Sequence, residues 1–200
     1  MNLTEIINNS ESLIQWLDKE LDGLAVPSVE RPALAVACLL VALEHQKAIL
    51  LLVANKLFGS AFSLIRLEFE SYVRGVWLQL CATESEITKY KQDKLEKRFQ
   101  ALITEIENCK GFEEGILSSA KKENYGAMNS FTHSGYLQAV RRIKGETLEP
   151  NYTDEEIIEL LNTANALGML SALQISLLAN RKELSIKMLD KMKLLNRGTP

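Results

Sequence analysis

Helix-breaking residues are scarce in this sequence. It has only 4 prolines and 10 glycines in 200 residues. No segment shows the period-two alternation and turn chemistry of a β-hairpin, which argues against a sheet-based fold. The 2 histidines argue against a histidine-built transition-metal site. The 3 cysteines, Cys38, Cys81 and Cys109, are odd in number, widely separated and free of any CxxC pair. A disulfide framework is thereby excluded, and a reducing, cytoplasmic setting is expected in which each thiol packs as a small apolar group. Charge of one sign is also lacking: the net charge is −3 and the pI about 5.6. No global field draws the chain to nucleic acid, which leaves a local basic site as the only electrostatic route to one. Met1–Glu5 has neither the basic start nor the apolar core of a signal peptide. There is no GxGxxG, Walker loop, HExxH, EF-hand loop or Gly-x-Ser-x-Gly elbow, and no paired Glu-x-x-His of a di-iron bundle. No basic recognition helix of a helix-turn-helix stands out.

What is present is apolar residue at helical spacing. Hydrophobic residues make up 46% of the chain, enough for a real core. Ala33–Leu43 is continuously apolar and Ala48–Ala54 resumes the run, with Glu44-His45-Gln46-Lys47 between them. A spanning helix needs about 20 mostly apolar residues, and charges at its centre are costly. The segment therefore reads as a central core helix, beginning near Arg31-Pro32 and reaching Phe58. A first helix is expected over Leu3–Leu24 and a third from Gly59-Ser60 to Cys81. Glu84–Lys110 interleaves lysines with acids around a Leu95, Phe99, Leu102, Ile103, Ile106 stripe, the pattern of a solvated amphipathic helix or pair of helices. A short helix over Glu114–Glu123 and a segment Tyr125–Ile143 follow. Thr153 and Glu156 have capping-box spacing and open a helix to about Ala179, before a terminal helix over Glu183–Leu195. The expected fold is all-α, a bundle of about five to seven helices with two long buried central ones. It forms a single domain over 1–200, with an N-terminal helix in 1–28, a bundle core in 29–180 and a C-terminal helix in 181–200.

Two constellations carry chemistry. Arg66, Glu70 and Arg74 are four residues apart on the third helix and share one face. On a largely buried helix they are either an internal Arg–Glu–Arg ladder or the wall of a polar cavity, where a guanidinium grips phosphate or carboxylate as a fork. The second is Asn129-Ser130-Phe131-Thr132-His133-Ser134-Gly135, followed by Arg141 and Arg142. Ser130 and Thr132 are placed to orient His133 or bind an anion. Arg141, eight residues on, faces the same side if the helix continues. His133 is either the acid/base or hydrogen-bond donor of a site or a structural cap. His45, beside Glu44, reads as a buried hydrogen-bonding residue.

Arg66-Leu67-Glu68-Phe69-Glu70 on a buried helix, with Ser130-Phe131-Thr132-His133 some sixty residues later, resembles the HEPN superfamily, above all its bacterial branches with an Arg-x-x-x-Glu helix and a late Ser-x-x-His. The resemblance covers roughly Ala33–Ala179. It implies a compact helical bundle, often a homodimer, that binds RNA or a nucleotide and in some members cuts RNA without metal, with no cofactor, in a bacterial defence or toxin–antitoxin system and with a cognate partner protein. In the RNA-cutting members an arginine precedes the histidine on one helix; here Asn124–Thr132 contain none and the arginine pair follows. The implied roles are phosphate contact for Arg66, Arg74, Arg141 and Arg142, orientation of those arginines by Glu70, and hydrogen-bond donation or proton transfer by His133. The alternative class is a non-catalytic, dimerising interaction protein in which the same residues fix helix register.

Overall fold

The computed structural model describes residues 2–197. Among them the chain forms nine helices and no named strand: α1 (Leu3–Leu21), α2 (Glu30–Ala54), α3 (Phe58–Leu80), α4 (Glu84–Lys91), α5 (Phe99–Glu107), α6 (Ile116–Thr132), α7 (Tyr136–Val140), α8 (Asp154–Leu178) and α9 (Lys182–Arg197). The all-α bundle expected from the sequence is the fold. The count exceeds seven because the charged stretch divides into α4 and α5 and the histidine segment ends in the separate α7. Of the C-terminal helix expected over 181–200, residues 198–200 lie outside the described residues.

Local chemistry sets the boundaries. Asn2, Thr83 and Thr153 each accept the backbone N–H of a glutamate three residues on, and that glutamate returns to the cap N–H, so α1, α4 and α8 begin with complete capping boxes. The break between α2 and α3 falls at Lys56, held at φ 59°, and not at Gly59. Gly59 lies inside the first turn of α3, where a Cβ would come within 3.3 Å of the Tyr152 hydroxyl.

α2 and α3 form an antiparallel hairpin with the most extensive contact in the fold; α8 packs across both, α1 and α9 pack on α8, and α5 and α6 pack on α3. The close approach of α2 to α3 rests on Gly75: a Cβ there would lie 2.7 Å from Leu39 Cγ and 3.0 Å from the Ala35 carbonyl. Trp77, Tyr72, Leu39, Leu78 and Leu161 are fully buried around this seam. Among the described residues α2 alone is long and apolar enough to cross a membrane by length and composition, but 44% of its most apolar window is buried against the rest of the fold. It is central, as its hydropathy suggested, yet it is not enclosed. Leu40, Val41 and Leu51 remain exposed on its outer face.

Candidate functional site

The ladder on α3 divides into a closed end and an open end. At the closed end Glu70 Oε1 accepts from Arg66 Nε at 2.8 Å and from the Tyr125 hydroxyl at 2.5 Å. Arg66 Nη1 lies 2.7 Å from His133 Nε2. A guanidinium is always protonated, so Arg66 donates and Nε2 accepts, which puts the imidazole proton on Nδ1. The Arg66 guanidinium also sits 4.9 Å from the centroid of the Tyr125 ring, and that ring stacks on Phe99. Burial works against the Arg66 charge, but the Glu70 hydrogen bond and charge outweigh it and raise the guanidinium above its ordinary value. Burial, reinforced by Glu70, pushes the Tyr125 hydroxyl up as well. The side chains of Arg66 and Glu70 are 17% and 25% exposed, whereas His133 is exposed. Arg66, Glu70 and His133 therefore meet. They meet as a mutually satisfied network joining α3 to the end of α6, and the His133 Nε2 lone pair is occupied.

The open end is Arg74. Among the described residues it has no carboxylate partner; its guanidinium lies 5.7 Å from the centroid of the Tyr90 ring. It lines a cleft of about 210 Å³ between α2, α3 and α4, with Cys38, Val41 and Leu67 as apolar wall and His45, Ser71 and Tyr90 as polar wall. Glu70 borders the same cleft, its charge offset by Arg66. Burial lowers the His45 imidazole, with Glu44 opposing, so the neutral form is favoured. Burial, together with the Cys38 hydrogen bond, pushes the Tyr90 hydroxyl up to about 12. Burial also pushes the Cys38 thiol up, against the pull of Tyr90 and Arg74. At neutral pH the cleft thus offers one uncompensated cation among neutral hydrogen-bonding groups. His45 differs from its sequence reading: it is half-buried and has no hydrogen-bond partner among the described residues.

The remaining candidate residues do not join either end. α6 stops at Thr132, so the continuous helix that would place Arg141 beside His133 does not exist. His133 is the C-cap, Ser134 takes the left-handed conformation at φ 53°, and the Gly135 N–H bonds the Ser130 carbonyl at 2.7 Å, completing a Schellman-type stop. Ser130 Oγ accepts the Leu137 N–H at 3.1 Å. Thr132 Oγ1 donates toward the carbonyls of Met128 and Ser63 at 2.8 and 3.2 Å. Both hydroxyls are structural. Arg141 forms a fork with Glu156, Nη1 to Oε2 at 3.0 Å, and bonds the Asn151 carbonyl at 3.1 Å. It lines a separate apolar cavity of about 250 Å³ with Phe62, Met128, Phe131, Tyr152 and Leu160. Arg142 is exposed. Among the described residues no group of three or more His, Cys, Asp or Glu is placed to hold a metal.

Several residues of the site escaped the sequence reading. Leu67 and Ser71 share a helical face with Arg74 on α3, as Cys38 and Val41 do with His45 on α2, so both cleft walls were there to be read. Tyr90 and Tyr125 arrive from other helices by tertiary packing and leave no local signal.

Residues 39–194, well over half of the chain, match the model of DUF6988, a family of unknown function. The chain belongs to this family. No curated protein and no solved structure matches it. The DUF6988 span takes in α3 to α8 and every residue of the Arg74 cleft except Cys38. It leaves out α1, which packs on α2 and α8.

Proposed function

We propose that this DUF6988 protein binds a phosphate-bearing ligand, a nucleotide or a strand of RNA, in the Arg74 cleft and leaves it uncut. The observation that carries this reading is the contrast between arginines. Arg66 is tied to Glu70 and His133, Arg141 is tied to Glu156, and Arg74 has no acid partner among the described residues while lining a cleft. An unpaired guanidinium beside a hydroxyl, a phenol and a neutral imidazole suits a phosphate group, and the Val41–Leu67 wall suits an apolar sugar or base face. Arg66, Glu70 and His133 act behind this site as a brace that fixes Glu70 and the face of α3. Their meeting also supports the HEPN-like reading, a binding module of a bacterial defence or toxin–antitoxin system with a cognate protein partner, in a reducing cytoplasm. Cleavage without metal would need His133 as base toward a 2′-hydroxyl, and the Arg66 hydrogen bond takes up the Nε2 lone pair that step requires.

Fluorescence anisotropy with an end-labelled single-stranded RNA, run across a salt series, tests the reading. Arg74→Ala should weaken binding by about tenfold or more and reduce the salt slope by about 0.7, the share of one phosphate contact. Arg141→Ala should leave both unchanged. Indistinguishable binding by wild type and Arg74→Ala, with both folded, would remove the cleft from the reading.

The second class, a helical interaction protein, is favoured by one observation of its own. Leu40, Val41 and Leu51 on α2 are 50%, 43% and 65% exposed, beside Leu67 of α3 at 37%. Such a face suits a homodimer contact; Val41 and Leu67 also line the Arg74 cleft, so a dimer and a ligand would compete for that wall.

A further inference from the structure

We propose that Cys81 and Cys109 form a modification site, a dithiol that a small-molecule disulfide such as oxidised glutathione converts to an internal disulfide joining the C-terminal ends of α3 and α5. The inference is independent of the phosphate-binding reading. The two sulfurs lie 3.6 Å apart although the residues are 28 apart in sequence. Both thiols are free and half-buried, so a reagent can reach them; Cys38 is buried, 3.2 Å from the Tyr90 hydroxyl. A disulfide brings its sulfurs to about 2.05 Å, a closure of roughly 1.5 Å from the present separation. The backbone at both ends can supply it. Cys81 is the C-cap of α3, and Cys109 sits in the turn just past Asn108, the C-cap of α5. Neither is locked inside a helix. The bond would close a loop holding α4 and the ion network beside it, in which Lys97 Nζ lies 2.5 Å from Glu86 and 2.6 Å from Glu105, over the Trp77 ring.

The exchange balances with the disulfide as oxidant. The Cys109 thiolate attacks one sulfur of oxidised glutathione, forming a mixed disulfide and expelling one glutathione thiolate, which takes up the proton Cys109 has lost. The Cys81 thiolate then attacks the Cys109 sulfur and expels the second glutathione thiolate, which takes up the Cys81 proton. The protein loses two hydrogens, and glutathione disulfide is reduced to two thiols. Burial, and then the neighbouring Cys109 sulfur, push the Cys81 thiol up to about 12. Cys81 therefore keeps its proton near neutrality, and the exchange quickens as pH rises.

The test equilibrates the full chain in glutathione buffers from reducing to oxidising, then unfolds it under alkylating reagent for thiol counting, intact mass and peptide mapping. Two of the 3 thiols should disappear together, the mass should fall by two hydrogens without a glutathione adduct, and the map should join Cys81 to Cys109. Cys38→Ser should behave as wild type. Cys109→Ser, with its helicity checked by circular dichroism, should yield no internal disulfide. Three thiols persisting in the oxidising buffers would overturn the proposal. So would stable glutathione adducts on both residues, a bond to Cys38, or a bond between chains.

Discussion

Glu68 and Glu86 are two carboxylates that the fold treats in opposite ways. Glu68, on α3, is fully buried, and neither carboxylate oxygen has a hydrogen-bond partner among the described residues. Burial alone raises it well above its ordinary value. The folded chain therefore holds a proton there that the unfolded chain releases, so this group's contribution is greatest below about pH 4.5 and is lost as pH rises toward the folded-state value. Glu68→Met removes both unpartnered oxygens at similar volume. It should raise stability at neutral pH by about 1–3 kcal/mol and flatten the decline above pH 4.5, read by denaturant melts over a pH series. Glu86 runs the other way. Burial pushes it up, but the Lys97 hydrogen bond, the Thr83 N–H and hydroxyl, and the Lys97 charge bring it down to about 2. Its stabilisation is present above the ordinary value of 4.5 and lost as pH falls toward 2. Glu86→Gln should cost about 1–2 kcal/mol at pH 7 and lose its deficit relative to wild type as the pH approaches 2. Equal sensitivity of the two proteins across that window would contradict the assignment.

Gly75 shows how an element is fixed by what it lacks. Helix propensity alone favours alanine over glycine by about 1 kcal/mol, but a Cβ at Gly75 would strike the Leu39 side chain at 2.7 Å and the Ala35 carbonyl at 3.0 Å. Gly75→Ala should therefore be destabilising, by about 1–3 kcal/mol, and a rise in melting temperature would show that α2 can move away from α3 without loss. At this scale the sequence was informative where the determinants are local. The Thr153–Glu156 capping box, the apolar run of α2 and the four-residue spacing of Arg66 and Glu70 all reappear in the structure. It was uninformative where a residue departs from its usual role. Lys56 takes left-handed backbone that glycine normally supplies, so Gly59 drew the expected boundary between α2 and α3 to the wrong place. The tie from Arg66 to His133 spans 67 residues and depends on α6 packing across α3, which no periodicity encodes. The same holds for Arg141. Its fork with Glu156 reaches from α7 to α8, and only that partner reveals that its charge is already spoken for.

For the whole molecule, the all-α bundle follows from composition and period, whereas the face that α2 turns to solvent does not. An all-round apolar helix suggests enclosure, yet Leu51 is 65% exposed and Leu40 50% exposed. If two copies cover that face, sedimentation should report a dimer, and the double substitution Leu40→Arg/Leu51→Arg should convert it to a folded monomer. A wild-type monomer at the highest concentrations reached would rule out this contact. The claim that joins residue, element and molecule is that Arg74 is the free anion anchor and His133 is a committed hydrogen-bond acceptor. The most direct measurement incubates the wild-type protein with labelled RNA and divides the sample between a native and a denaturing gel. Retarded RNA in the native gel and full-length RNA in the denaturing one is the expected result. Shortened RNA, or no retardation at low salt where a phosphate contact is strongest, would contradict it.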